Sequence, residues 1–120
     1  MENGGLLFRL EAIEDPVPPG QFSQPDPGTR WIAFDMTAHN PTGESELFSA
    51  LISAKLVDSQ GRELKFAFAD REVLDGEIPA GQTRRGSLTY VVPDGTTLSH
   101  LEINNDPLGG DPVAFVVSSS

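Results

Sequence analysis

The side chains with most chemical potential in this chain of 120 residues are two histidines, His39 and His100, and eighteen Asp and Glu; cysteine is absent. Without thiols, a thiolate zinc site, a cysteine nucleophile and a disulfide framework are excluded. A zinc or nucleophile-activating site needs several ligands converging on one point. His39 falls on the outward parity of a strand and His100 precedes the inward Leu101, so both read as ordinary surface or edge residues. No Gly-x-Ser-x-Gly turn exists to present a serine nucleophile. With so many carboxylates, no single pair stands out for glycoside hydrolysis.

Calcium is the ion that the oxygen-rich stretches suit best. Asn104-Asn105-Asp106-Pro107-Leu108-Gly109-Gly110-Asp111 places Asp106 and Asp111 in one inter-strand loop, and Asp70, Glu72, Asp75 and Glu77 make a second acidic loop. Calcium takes roughly six to eight oxygen ligands, and sandwich loops can supply them. Neither stretch has the Asp-x-Asp-x-Asp-Gly spacing, and Asn, Asp, Gly and Pro are also simply turn formers. Asn40-Pro41-Thr42 fails as a glycosylation acceptor because proline occupies its middle position. Arg84-Arg85 is the local positive cluster, and it reads as an offset to neighbouring acids. Trp31, the sole tryptophan, lies on the opposite parity from Ile32, Phe34 and Met36. Its indole either plugs one end of the fold beneath a proline-rich loop or stands in water as an anchor for a partner.

A formal net charge of −10 disfavours nucleic acid, whose phosphates require Lys and Arg, and anionic membrane surfaces likewise. The same charge implies a self-repelling, soluble surface and could also suit a basic partner or loosely bound cations; a monomer or weak oligomer is expected. No secretory-signal pattern opens the chain, and the apolar run Val113 to Val117 is too short to span a bilayer, so no direct membrane insertion is expected. No cofactor is implied.

The elements that must position these residues are strands. Ile32, Phe34, Met36 and Ala38 alternate with polar or small residues until Asn40-Pro41-Thr42-Gly43 stops the run. Phe48, Ala50, Ile52, Ala54 and Leu56 share one parity up to Asp58-Ser59-Gln60-Gly61. Such alternation buries one face of a strand and wets the other. The spacing predicts strands over Leu6–Ile13, Arg30–Asn40, Phe48–Asp58, Glu63–Ala69, Thr83–Val92, about Ser99–Asn104 and Val113–Val117. The proline-rich stretch from Asp15 to Gly28 cannot be a central strand and is expected to cross between sheets. A helical turn is expected only within Asp70–Leu74, and Gly61 and Gly81 are expected at positive φ. The result is a single all-β domain over residues 6–117, an immunoglobulin-like two-sheet sandwich of about seven strands, with a closed barrel as the alternative and tails at 1–5 and 118–120.

Three motifs resemble a bacterial family of unknown function with an immunoglobulin-like fold. They are the long strand Trp31 to Asn40, the Leu56-Val57-Asp58-Ser59-Gln60-Gly61 hairpin, and Ile78-Pro79-Ala80-Gly81-Gln82-Thr83 followed by Gly86 and Leu88-Thr89-Tyr90-Val91-Val92-Pro93. The family is common in lipoproteins and cell-envelope proteins and is related in fold to a secreted mycobacterial immunogenic protein. Gln82 stands where an acidic residue is usual, and no lipidation cysteine is present. The resemblance implies an extracytoplasmic address and brings no catalytic residues. The expected function is therefore a non-enzymatic module for protein interaction or structural support, and the alternative is a domain binding calcium or a small ligand through its acidic loops.

Overall fold

A computed structural model describes residues 2–3, 5–18, 25–67, 72–105 and 112–117. Its strands in chain order are β1 (Glu2–Asn3), β2 (Leu6–Glu14), β3 (Thr29–His39), β4 (Glu46–Phe48), β5 (Ala54–Asp58), β6 (Lys65–Phe66), β7 (Gly76–Ile78), β8 (Thr83–Pro93), β9 (Leu98–Ile103) and β10 (Val113–Val116), with one helical turn, α1 (Ala50–Ser53), before β5. The central ladder joins β3 and β8 antiparallel from Thr29 opposite Pro93 to His39 opposite Thr83. Around it the larger sheet has the order β1-β2-β3-β8-β6. A second sheet, β10-β9-β5, and a two-stranded ribbon, β4-β7, complete a sandwich rather than a closed barrel.

Alternation explains which side chains fill the space between the sheets. Ile32, Phe34 and Met36 of β3 and Leu88, Tyr90 and Val92 of β8 point the same way from paired strands. They meet Leu56, Leu98, Leu101 and Ile103 of the smaller sheet, with Phe48 and Ile78 from the ribbon, in one continuous core. Tyr90 sits edge-on to Phe34 and Phe66 at centroid distances of 6.1 and 5.6 Å, a favoured aromatic geometry. Burial raises the pKa of its phenol, and the nearby Glu63 carboxylate adds to the shift.

Several local expectations give way to tertiary partners. The strand anticipated over Phe48–Asp58 is broken into β4, α1 and β5. Phe48, Ala54 and Leu56 do face the core, but Ile52, anticipated inward, is 79% exposed. The segment from Asp15 to Gly28 does not cross between sheets; it links β2 to its own neighbour β3. Glu2 and Asn3 extend the sheet as β1 instead of trailing as a tail. In β2 the register slips between Leu10 and Ala12, so Ala12 turns to solvent.

The fourth strand is shorter than the alternation suggests because it changes sheets. Leu64 N–H donates to Leu56 O at 2.8 Å beside β5, whereas Lys65 and Phe66 pair with Val91 and Tyr90 of β8. Phe68, Ala69, Asp70 and Arg71 lie outside the described residues. Beyond them, Glu72 to Leu74 form no helical turn but run along β8: Ser87 N–H donates to Glu72 O and Leu74 N–H to Ser87 O. Gly86 makes this approach possible. A Cβ there would lie 2.5 Å from Leu74 N and 2.8 Å from Val73 C, closer than real atoms approach. Gly61 has φ +81° and Gly81 φ +75°, the turn conformation expected of each.

Candidate functional site

The residues singled out for polar chemistry do not converge. His39 Nδ1 lies 2.7 Å from Thr83 Oγ1 on the larger sheet, and His100 Nδ1 lies 3.0 Å from Ser99 Oγ on the smaller one. Asp106 and Asp111, the candidate calcium ligands, lie outside the described residues, as does Asp70. Of the second acidic loop, Glu72, Asp75 and Glu77 are exposed. Among the described residues no three His, Asp or Glu side chains are placed to hold one metal ion.

Trp31 is buried, though apart from the core between the sheets rather than as a plug at the end of the sandwich. It is 8% exposed and packs with Val17, Ala33, Ala67 and Val91 in a second, smaller cluster on the outer face of the larger sheet. Val17 N–H donates to Trp31 O at 2.8 Å, which fixes the start of the proline-rich connection beside the indole.

The polar residues within the recurring motifs hold the fold together. Asn40 is fully buried with its amide saturated. Nδ2 donates to Glu44 O at 2.6 Å and Ile78 O at 2.9 Å, and Oδ1 accepts from Thr42 N–H and Thr42 Oγ1. Asp58 is buried at the end of β5. Its Oδ1 accepts from Gln60 N–H and Arg62 N–H at 2.9 and 2.8 Å, and its Oδ2 pairs with Arg62 Nε at 2.9 Å. The Arg62 amide is the main cause that holds this carboxyl below its ordinary value of 3.8, against the opposing effect of burial.

Among the described residues, two further surface features bear on function. The first is a polar recess of about 340 Å³ on the outer face of the larger sheet, lined by Asp35, Glu72, Arg85, Gly86 and Ser87. Ser87 Oγ donates to Asp35 Oδ1 across the ladder. That proton is committed to a carboxylate, and the pair reads as a cross-strand tie.

The second surrounds α1. Ser53 N–H donates to Ser49 O at 2.8 Å to close the turn, and Asp75 Oδ1 accepts from Ala50 N–H at 2.8 Å. Asn105 accepts from Ser53 Oγ and donates to Leu47 O, both at 2.8 Å. The turn is thus held by Asp75 and Asn105 with Ala50 and Ser53 buried, while Leu51 and Ile52 point outward at 61% and 79% exposed, as does Leu47 of the preceding strand at 67%. Beside them opens an apolar cleft of about 210 Å³ lined by Ala50, Leu51, Phe66, Val73 and Asp75. Single exposed apolar residues are ordinary, whereas two adjacent ones on one turn beside an apolar cleft make this the candidate site. Sequence reasoning missed it. The signal available was Leu51-Ile52, two adjacent large apolar residues that break strict alternation.

Comparison with known proteins agrees with this account of the fold. The sequence profile of a family described as a domain of unknown function (DUF4352) matches residues 2–113. Among solved structures, a putative lipoprotein (ycdA) from Bacillus subtilis superposes with a TM-score of 0.77 at 14% identity. The match covers 98% of this chain and 38% of that one, so the chain spans well under half the length of that neighbour. The yjhA protein of Bacillus subtilis gives 0.65 at 19% identity, covering 88% of this chain and 76% of the other. A conserved hypothetical protein from Bacillus anthracis gives 0.64 at 18%, covering 87% and 85%. No curated protein matches. At these identities the likeness speaks for the fold alone. Among the described residues no helix is long and apolar enough to cross a membrane.

Proposed function

The chain belongs to the DUF4352 family of domains of unknown function, and on that premise we propose that it is a non-enzymatic, extracytoplasmic immunoglobulin-like module that docks a partner protein through the surface around α1. The observation that carries the reading is the outward display of Leu47, Leu51 and Ile52 on a turn whose backbone is fixed by Asp75 and Asn105. Exposing apolar side chains wastes burial that a core could use, and fixing them beforehand lowers the ordering cost of an encounter. The likeness to a putative lipoprotein supports the extracytoplasmic address.

Photo-cross-linking in intact producing cells tests the reading. A photoreactive residue replacing Ile52 should give a discrete protein-sized adduct, whereas the same residue at Arg9, an exposed position on β2, should give none. Equal adducts at both positions, or none at position 52, would overturn it.

A further inference from the structure

Independently of the docking surface at α1, we infer that the open edge of β10 pairs antiparallel with β10 of a second copy of this chain, joining two smaller sheets into one. β10 ends the order β10-β9-β5, and among the described residues no strand lies on its far side. The hydrogen-bond parity follows from Val117 N–H, which donates to Ser99 O at 3.0 Å. Partners alternate along an antiparallel ladder, so Val113 and Phe115 also bond to β9, while the N–H and C=O of Ala114 and Val116 face outward.

The strands at the other margins are blunted, as edges that avoid pairing are. β2 carries Arg9, Glu11 and Glu14 and a register slip between Leu10 and Ala12. β5 is covered by the hairpin that follows it, where Asp58 N–H donates to Arg62 O and Leu64 N–H to Leu56 O. β1 and β6 are two residues long, and β4 and β7 are three, with Glu46 and Glu77 on them. β10 has none of these guards: Val113-Ala114-Phe115-Val116 is uncharged, and its register against β9 is unbroken.

The edge is complementary to itself. With Phe115 at the two-fold axis, Ala114 and Val116 form hydrogen-bonded pairs with the second copy's Val116 and Ala114. Phe115, half-buried at the rim of the core, then meets the second copy's Phe115, and Val116, 82% exposed, faces an alanine. Each facing pair is apolar. Moving the axis to Ala114 would set Val116 opposite Pro112, which has no N–H to donate. On the outer face Glu102 lies beside Ala114 and His100 beside Val116, so each row across the seam runs from Glu102 of one copy to His100 of the other, and no carboxylate confronts a carboxylate. The formal net charge of −10 on each copy opposes association, and four residues make a small seam, so the pairing is weak and salt strengthens it.

Sedimentation equilibrium of the intact chain between roughly 10 µM and 1 mM, with and without added salt, tests the inference. Dimer should appear at the upper end and increase with salt, and on dilution the amide shifts of isotope-labelled protein should move at residues 113–117 and their β9 partners. Val116→Pro removes an outward donor, and Val116→Lys guards the edge with a charge on a side chain already in water. Each should weaken dimerisation at least about tenfold with the thermal melt unchanged. Because the chain has no cysteine, Ala114→Cys mixed with Val116→Cys reports the register. Mild oxidation should link the two variants to each other more than either to itself, since facing Cα atoms about 5.5 Å apart suit a disulfide. A monomer at every concentration would overturn the inference, as would a dimer that Val116→Lys leaves intact. Preferential linkage of like with like would overturn the antiparallel register centred on Phe115.

Discussion

Strand β5 lies between two turns that are built in opposite ways. The turn that follows it, Asp58 to Arg62, supplies most of its own closure. The Asp58 carboxylate accepts the amides of Gln60 and Arg62 and the Arg62 guanidinium, and Gly61 N–H donates to Asp58 O. The turn that precedes it, α1, depends on residues far along the chain, Asp75 and Asn105. In the first, the functional group points inward and serves the fold. In the second, distant groups do much of the holding: Ala50 and Ser53 turn inward, and Leu51 and Ile52 are left facing outward. A surface meant for a partner is better built the second way, since the exposed side chains of Leu51 and Ile52 make none of the hydrogen bonds that close the turn.

The comparison can be broken most forcefully at Gly86, which lets the Glu72–Leu74 segment approach β8 just before Asp75. Gly86→Ala should cost about 3 kcal/mol by overpacking against backbone. It should also speed hydrogen exchange at the Ala50 amide, although Ala50 is far from Gly86 in sequence. Unchanged exchange at Ala50 would show that α1 does not need the Asp75 support.

Asp58→Asn comes next. The folded-state pKa of Asp58 is lowered, so its stabilisation is complete above the ordinary value of 3.8 and is lost as pH falls through the lower folded value. In urea denaturation the wild type should therefore exceed the variant at neutral pH, with the gap closing as the pH is lowered below 3.8. A gap independent of pH would contradict the role given to the carboxylate.

Asp75→Ala removes one acceptor from the α1 amides and should cost about 1 kcal/mol, with faster exchange at Ala50. Because the two turns share no partners, Asp58→Asn and Asp75→Ala should be additive. A double variant that departs clearly from the sum would mean that the turns are coupled through β5. Leu51→Ser should be smallest, within about 0.5 kcal/mol in thermal melts, since the side chain is largely in water. A large loss of stability there would place Leu51 among the fold's supports and remove it from the docking surface.

Alternation along the chain was enough to read the all-β class, the long strands β3 and β8, and their buried faces: Ile32, Phe34 and Met36 on one, Leu88, Tyr90 and Val92 on the other. The residue types at Asp58–Gly61 were enough to read the turn there. Each of these is a local property, either a period of two along a strand or a side chain reaching its own neighbours' amides. Long-range packing instead settles that the proline-rich connection joins neighbouring strands, that Trp31 is covered by Val17 and Ala67, and that Ala50–Ser53 winds into a turn. The candidate site belongs to this second group. Alternation alone placed Ile52 in the core, and its exposure follows from hydrogen bonds made by Asp75 and Asn105. Local patterning states which residues prefer burial. Which of them are buried depends on distant groups that satisfy the backbone and occupy the space, and those are set by the fold as a whole.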